Sequence, residues 1–219
     1  MHLLNAVFKS IPSIFTGTFW ASSFKSIFFT GVILTIFTLS IASLLSSTAF
    51  FETGWLESIA DIFGIGVGIF IAWILLPAFI PIIASMFQDN LLNKLELKHY
   101  NLEKPTLESS HLKEDLWFIA KAIGLNLGLF MFSSIFVLYI VLYFLVNGYL
   151  LGNEFFRIVA NRRSLPPTSN KLIDENKFTI YGAGILISFL VSTPILNLLA
   201  PLVAVILMMH IFHILKASK

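Results

Sequence analysis

The sequence predicts an all-α integral membrane protein: two long transmembrane helices, two membrane-inserted helical hairpins and an amphipathic N-terminal segment. Three observations predict it. The chain of 219 residues is 57% hydrophobic and 12% charged, whereas a soluble domain is about 45–50% apolar and about 25% charged. Its mean hydropathy is +0.89, and the apolar residues gather in long runs instead of spreading at core-like spacing. Lys and Arg cluster in the polar stretches between those runs, as topology marks do. The chain therefore reads as a single membrane domain over 1–219. A net charge of +2 leaves no electrostatic footprint for a nucleic acid. With no cysteine present, disulfides, thiolate metal sites and a cysteine nucleophile are excluded.

Residues 1–26 lack a compact apolar region followed by a small-residue cleavage site, so no cleavable signal peptide is expected there. Leu4, Phe8, Ile11, Phe15 and Phe19 recur about once per helical turn, with Lys9, Ser10 and Ser13 between them. Such a segment lies in the membrane interface. Pro12 is expected to kink or divide it.

Four apolar stretches follow, at 27–50, 62–87, 117–146 and 178–215. The first two suit single tilted spans, because about 20 helical residues cross a hydrocarbon core of about 30 Å. The loop between them, 51–61, has Glu52, Glu57 and Asp61 but no Lys or Arg. Every other polar stretch is basic: Lys9 and Lys25 before the first span; Lys94, Lys98, Lys104 and Lys113 over 88–115; Arg157, Arg162, Arg163, Lys171 and Lys177 over 147–177; Lys216 and Lys219 at the end. The positive-inside rule puts the first loop outside and the rest, with both termini, in the cytoplasm.

That assignment makes the third and fourth stretches return to the side they came from. Two arms of about 14 residues in 117–146 would each reach only about 21 Å, short of a full crossing. A hairpin turning within the membrane near Ser133-Ser134 satisfies both the length and the charges. The alternative is one steep span, which would strand five basic residues outside. In 178–215 the centre reads Ser192-Thr193-Pro194-Ile195-Leu196-Asn197-Leu198-Leu199-Ala200-Pro201. Pro194, Asn197 and Pro201 mark a helix break between two arms. The second span keeps a half-apolar helical pattern beyond the membrane to about Asn101, with Pro105 as its stop, giving one element over 62–101. Ser109 or Ser110 is a candidate cap for the next helix.

Several polar features are candidates for chemistry. Ser40, Ser43 and Ser47 share one face of the first span, with Thr35 and Thr38 nearby. They line a polar path, or else bond their own helix's carbonyls and neighbouring helices. Gly64, Gly68 and Ala72 have the four-residue spacing of close helix packing, and Pro77 and Pro81 follow as bending points. Lys121 lies one turn into the third stretch, placed to snorkel or to attract anions. His210 and His213 are two ligands at most, too few for a metal site, and read as interface histidines. No Ser/His/Asp set, P-loop or HExxH motif occurs, so neither an enzyme nor a P-loop pump is expected, and no cofactor is implied.

The most distinctive segment is 147–165. On a helix Asn153, Arg157 and Asn161 share a face at i, i+4 and i+8, and Glu154 can pair with Arg157. Leu151, Phe155 and Ile158 form an apolar side. The segment is either a polar cluster at a pore mouth, where Arg concentrates anions, or an amphipathic interfacial helix. The run Asn147-Gly148-Tyr149-Leu150-Leu151-Gly152-Asn153-Glu154-Phe155-Phe156, then Val159-Ala160 and Arg162-Arg163, resembles the signature of the CysZ-like sulfate permease family. That family shares its domain with the etoposide-induced protein of the eukaryotic endoplasmic reticulum. The resemblance implies a bacterial inner-membrane, multi-pass, homo-oligomeric anion permease that takes up sulfate by a channel-like, non-ATP route; the alternative it leaves is a non-transporting scaffold or regulator of the same fold. Its partners would be the lipid bilayer and an inorganic anion. Sulfate-transporting members carry a Gly-Leu-Arg type motif before the first long helix. Here that place reads Ala21-Ser22-Ser23-Phe24-Lys25-Ser26, and Lys25 supplies the one comparable positive charge.

Overall fold

In the computed structural model the described residues are 1–46, 54–105, 120–122, 124–129, 131 and 135–218. Among them the ordered elements are all helical. We label them α1 (His2–Ile14), α2 (Gly17–Ser46), α3 (Gly54–Tyr100), α4 (Phe136–Ala160), α5 (Pro166–Glu175), α6 (Lys177–Ser192), α7 (Pro194–Asn197) and α8 (Ala200–Ala217). Residues 120–122 and 124–129 are helical too. Stretches within α2, α4 and α8 are long and apolar enough to cross a membrane: Gly17–Ile41, Val137–Ala160 and Ala200–Ala217. The protein is an all-helical membrane protein.

The chain divides into two compact units, Met1–Trp20 with Gln88–Lys219, and Ala21–Phe87. In the first, α8 is the centre. It is apolar around its whole circumference, and Ala204 to Phe212 are all buried, as expected of a helix surrounded by others. α1, α4 and α6 pack on α8, and α4 packs on α6. The α4–α6 contact is unusually close because glycine meets glycine. A Cβ on Gly184 would collide with the carbonyl oxygen of Gly148 and stand 2.7 Å from the Gly152 nitrogen; one on Gly152 would stand 2.7 Å from the Ile180 oxygen. Removing side chains at such crossings lets two backbones approach.

α1 turns its small and polar residues Ala6, Ser10 and Ser13 inward and leaves Leu4, Phe8, Ile11 and Phe15 exposed. An apolar face of this kind suits the headgroup boundary of a bilayer. Two expectations are corrected here. Pro12 does not divide the segment; α1 runs through it to Ile14. The break follows, where Thr16 Oγ1 donates to the Ser13 carbonyl at 2.7 Å and accepts the Phe19 N–H at 3.3 Å, capping the start of α2. Phe19 therefore belongs to the next helix and is fully buried.

In the second unit, α2 buries Ser22, Ser26, Thr30 and Leu34 along one face, while Phe24, Phe28, Ile36 and Leu39 are exposed. Phe29 meets Phe87 with ring centroids 5.9 Å apart. α3 is a single helix that stops at Asn101, whose φ of 52° is left-handed. The Asn101 N–H bonds the Leu97 carbonyl at 3.1 Å, so the helix ends on an asparagine cap four residues before Pro105.

The largest departure concerns the third apolar stretch. The sequence separates a hairpin arm ending near Val146 from an amphipathic helix over 147–165. The structure joins them, with α4 continuous from Phe136 to Ala160. Asn147 keeps the helix intact by donating to its own Tyr143 carbonyl at 3.0 Å, and Gly148 sits against Ile185, where a side chain would not fit. At 1.5 Å per residue α4 is about 37 Å long, enough to cross a bilayer core of about 30 Å. The proposed turn at Ser133-Ser134 lies outside the described residues. In the fourth stretch, Pro194 and Asn197 bound the short α7 between α6 and α8, and Pro201 falls just inside α8. Thr193 is extended, Pro194 opens α7 and Pro201 lies in the first turn of α8, positions where a proline's missing N–H costs nothing.

Candidate functional site

The C-terminal half of α4, with α5 and the start of α6, lines an open cavity of about 700 Å³. α4 contributes Tyr149, Asn153 and Arg157, one per turn; α5 contributes Asn170, Ile173 and Asp174; α6 contributes Lys177, Phe178, Ile180 and Tyr181. These come to one place because Asn176 alone separates α5 from α6, which folds Asp174 and Lys177 back against α4. Asn153 Nδ2 donates to the Tyr149 carbonyl at 2.7 Å. Lys177 Nζ stands 3.4 Å from Asp174 Oδ1. From the separate helical stretch 120–122, Lys121 Nζ donates to the Tyr149 hydroxyl and lies 4.5 Å from its ring centroid. Guanidinium, ammonium, amide and phenol groups thus share one space with the Asp174 carboxylate, a donor-rich set of the kind that can bond an acceptor with several oxygens.

Of the predicted face, Asn153 and Arg157 line this cavity and Asn161 does not. Asn161 caps α4, its N–H bonding the Arg157 carbonyl at 2.9 Å. Lys25, Ser40 and Ser43 belong to the other compact unit. Lys25 is exposed. Ser40 Oγ donates to the Ile36 carbonyl at 2.8 Å, and Thr35 and Thr38 bond their own helix in the same way. Ser47 lies outside the described residues. The signature residues divide by role: Tyr149 lines the cavity, Leu150 and Phe155 are buried core, Gly152 permits the helix crossing, Leu151 is half-buried and Glu154 is exposed.

Arg162 and Arg163 point elsewhere, to a buried ionic cluster. Glu96 has no exposure. Its Oε2 accepts from Arg163 Nη2 at 2.9 Å and Arg162 Nη1 at 3.3 Å, and its Oε1 accepts from His213 Nε2 at 3.1 Å. Arg162 also reaches Asp89 at 3.1 Å and Asn93. Burial alone would raise the Glu96 carboxyl, but the hydrogen bonds from His213 and Arg163 and the charges of Arg162 and Arg163 outweigh it and hold the group at about 2.

Next to this lies a hydrogen-bonded chain of aromatic and hydroxyl side chains. Tyr100 stacks on His213 at 3.9 Å, and its hydroxyl meets His210 Nδ1 at 2.7 Å. Ser13 Oγ meets His210 Nε2 and His99 Nε2, each at 3.1 Å. One assignment satisfies every partner: both imidazoles donate to Ser13, Ser13 donates to the Lys9 carbonyl, and Tyr100 donates to His210. His210 and His213 are both buried within the protein. They tie α1 and α8 to the end of α3.

A family model described as sulfate transporter CysZ/etoposide-induced protein 2.4 matches residues 6–201 of the chain. No curated protein and no solved structure matches it.

Proposed function

The chain belongs to the sulfate transporter CysZ/etoposide-induced protein 2.4 family, and from that premise we propose that it is an inner-membrane anion permease, with sulfate the favoured substrate. The observation that carries this reading is the shared cavity of Arg157, Lys177, Asn153, Tyr149 and Tyr181. In it, the planar guanidinium of Arg157 offers paired N–H donors that match two oxygens of one oxyanion. Lys177 adds a point charge, and the amide and phenols replace water ligands as the ion sheds its hydration shell. The apolar walls of Ile173, Phe178 and Ile180 strengthen these charge interactions by lowering the local dielectric. Passage down the ion's own gradient needs no nucleotide, so the route is channel-like, in a homo-oligomer with both termini cytoplasmic.

Flux of labelled sulfate into proteoliposomes tests the reading. Wild-type protein gives protein-dependent flux, and Arg157→Gln lowers it at least about tenfold, the scale of losing a charge-assisted bidentate contact. Lys25→Ala tests separately whether that residue replaces the missing Gly-Leu-Arg motif. Absence of protein-dependent flux for sulfate and for other inorganic anions would instead favour a non-transporting scaffold.

A further inference from the structure

The cavity is larger than an inorganic ion needs. At about 700 Å³ it falls within the roughly 300–1,000 Å³ of pockets that hold organic ligands. Its lining also carries charge of both signs. Asp174 Oδ1 and Lys177 Nζ stand 3.4 Å apart, with both side chains largely exposed. An exposed pair of this kind contributes little to stability. A ligand with an anion and a cation of its own can therefore part the two residues and pair with each.

The apolar side of the cavity indicates what carries those two charges. Phe178 lines it beside Lys177 and is 92% exposed. Leu186 and Phe189 are exposed as well, and Phe189 lies on the same face as Phe178, about three turns further along α6. α6 is apolar and packs on α4, whose Val137–Ala160 is long and apolar enough to cross a membrane. Phenylalanines this exposed on such a helix face acyl chains. Tyr149 and Tyr181, on the cavity wall, belong to the residue type that sits at headgroup level. Paired charges at one end of an exposed apolar face trace the outline of a phospholipid, with the head at Asp174 and Lys177 and the tails along Phe178 and Phe189. Asp174 selects among heads. Its carboxylate accepts charge-assisted hydrogen bonds from a primary ammonium. A quaternary ammonium has no N–H to donate, and an acidic head brings no cation to Asp174.

We propose that this cavity is a lipid site for a zwitterionic phospholipid bearing a primary amine, with its phosphate on Lys177 and its ammonium on Asp174. A bound head and a free anion compete for Lys177, but lipid binding is measured without transport, so its failure and that of the permease reading are separate results. The full chain in detergent is titrated with phosphatidylethanolamine, phosphatidylcholine and phosphatidylglycerol of matched acyl chains, and with water-soluble glycerophosphoethanolamine. Retained lipid is read by native mass spectrometry, with the unfolding midpoint of each lipid-free variant as the check on folding. Wild type binds phosphatidylethanolamine about tenfold more tightly than phosphatidylcholine, the scale of a hydrogen bond to a charged group. Asp174→Asn abolishes that preference and raises phosphatidylglycerol binding, because Lys177 is released. Lys177→Gln weakens phosphatidylethanolamine and phosphatidylglycerol alike. Lys171→Gln, on the same α5–α6 segment but outside the cavity lining, changes neither. Equal binding of phosphatidylethanolamine and phosphatidylcholine by wild type, or an equal loss of both in Asp174→Asn, overturns the lipid site. Glycerophosphoethanolamine binding as tightly as the lipid also overturns it, in favour of a soluble phosphate ester.

Discussion

Glu96 and Arg163 meet at 2.9 Å where the end of α3 reaches the end of α4, with Glu96 fully enclosed. The contact is shared with Arg162 and His213, so one carboxylate gathers three donors from two helix ends. A buried ion pair is a weak source of net stability, but removing one partner leaves the others uncompensated.

Glu96→Gln is therefore expected to destabilise the protein by about 3 kcal/mol, read as a lowered unfolding midpoint in detergent. Asp89→Asn makes the contrast. Asp89 also touches Arg162, but its side chain is 77% exposed, and exposed pairs contribute about 0–1 kcal/mol. Equal losses from the two variants would show that burial does not decide the cost.

The same carboxylate predicts an acid limit. Its pKa is depressed from 4.5 to about 2, so its contribution is complete above the unfolded value and is lost as pH falls through the folded one. The stability difference between wild type and Glu96→Gln should shrink between about pH 4.5 and pH 2. A difference that stays constant across that window would contradict the ionised pairing.

Gly184→Ala should be among the most damaging single-methyl additions. Its new Cβ would meet the Gly148 carbonyl oxygen and the Gly152 backbone, and backbone cannot swing aside as a side chain can. We expect a loss of more than about 3 kcal/mol, above ordinary overpacking. Gly31→Ala, where nothing lies within 4 Å, should be neutral or stabilising by up to about 1 kcal/mol. Comparable yields and midpoints for both variants would argue against the glycine crossing.

Tyr100→Phe removes the hydroxyl from His210 Nδ1 but keeps the ring on His213. His210 is 1% exposed, and its stranded nitrogen should cost about 1–3 kcal/mol. In wild type the Tyr100 phenol is pushed up to about 12 by burial and then by Glu96. The difference in alkaline absorbance titration between wild type and Tyr100→Phe should show one phenol ionising near that value rather than near 10.

The Asn153–Arg157 face was legible because both residues sit on one helix, where a four-residue step repeats a direction. Lys177 and Tyr181 carry the same spacing at the head of the fourth stretch, but nothing local assigns them to the same cavity as Arg157. The spacing of Gly148 and Gly152 was equally readable as a crossing motif, yet its partner Gly184 was not. The end assigned to the third stretch at Val146 was misplaced for a related reason. Polar Asn147 and Gly148 look like a break in isolation, but Asn147 bonds the Tyr143 carbonyl of its own helix and Gly148 is packed against Ile185 of α6.

By itself, then, the sequence determined the solvent this protein lives in, the helical class, the proline-marked break at Pro194–Pro201 and one polar face of α4. Each follows from composition or from a period along a single helix. Tertiary structure alone decided that Arg162 and Arg163 serve Glu96 and not the cavity, that His210 and His213 close a network reaching Ser13, and that Lys121 stands over Tyr149. The physical reason is that helical periodicity encodes only which residues share a face. Glu96 and His213 are 117 residues apart, and Ser13 and His210 are 197 apart. Their pairing is set by which helix faces can be buried together, and only the packed chain specifies that.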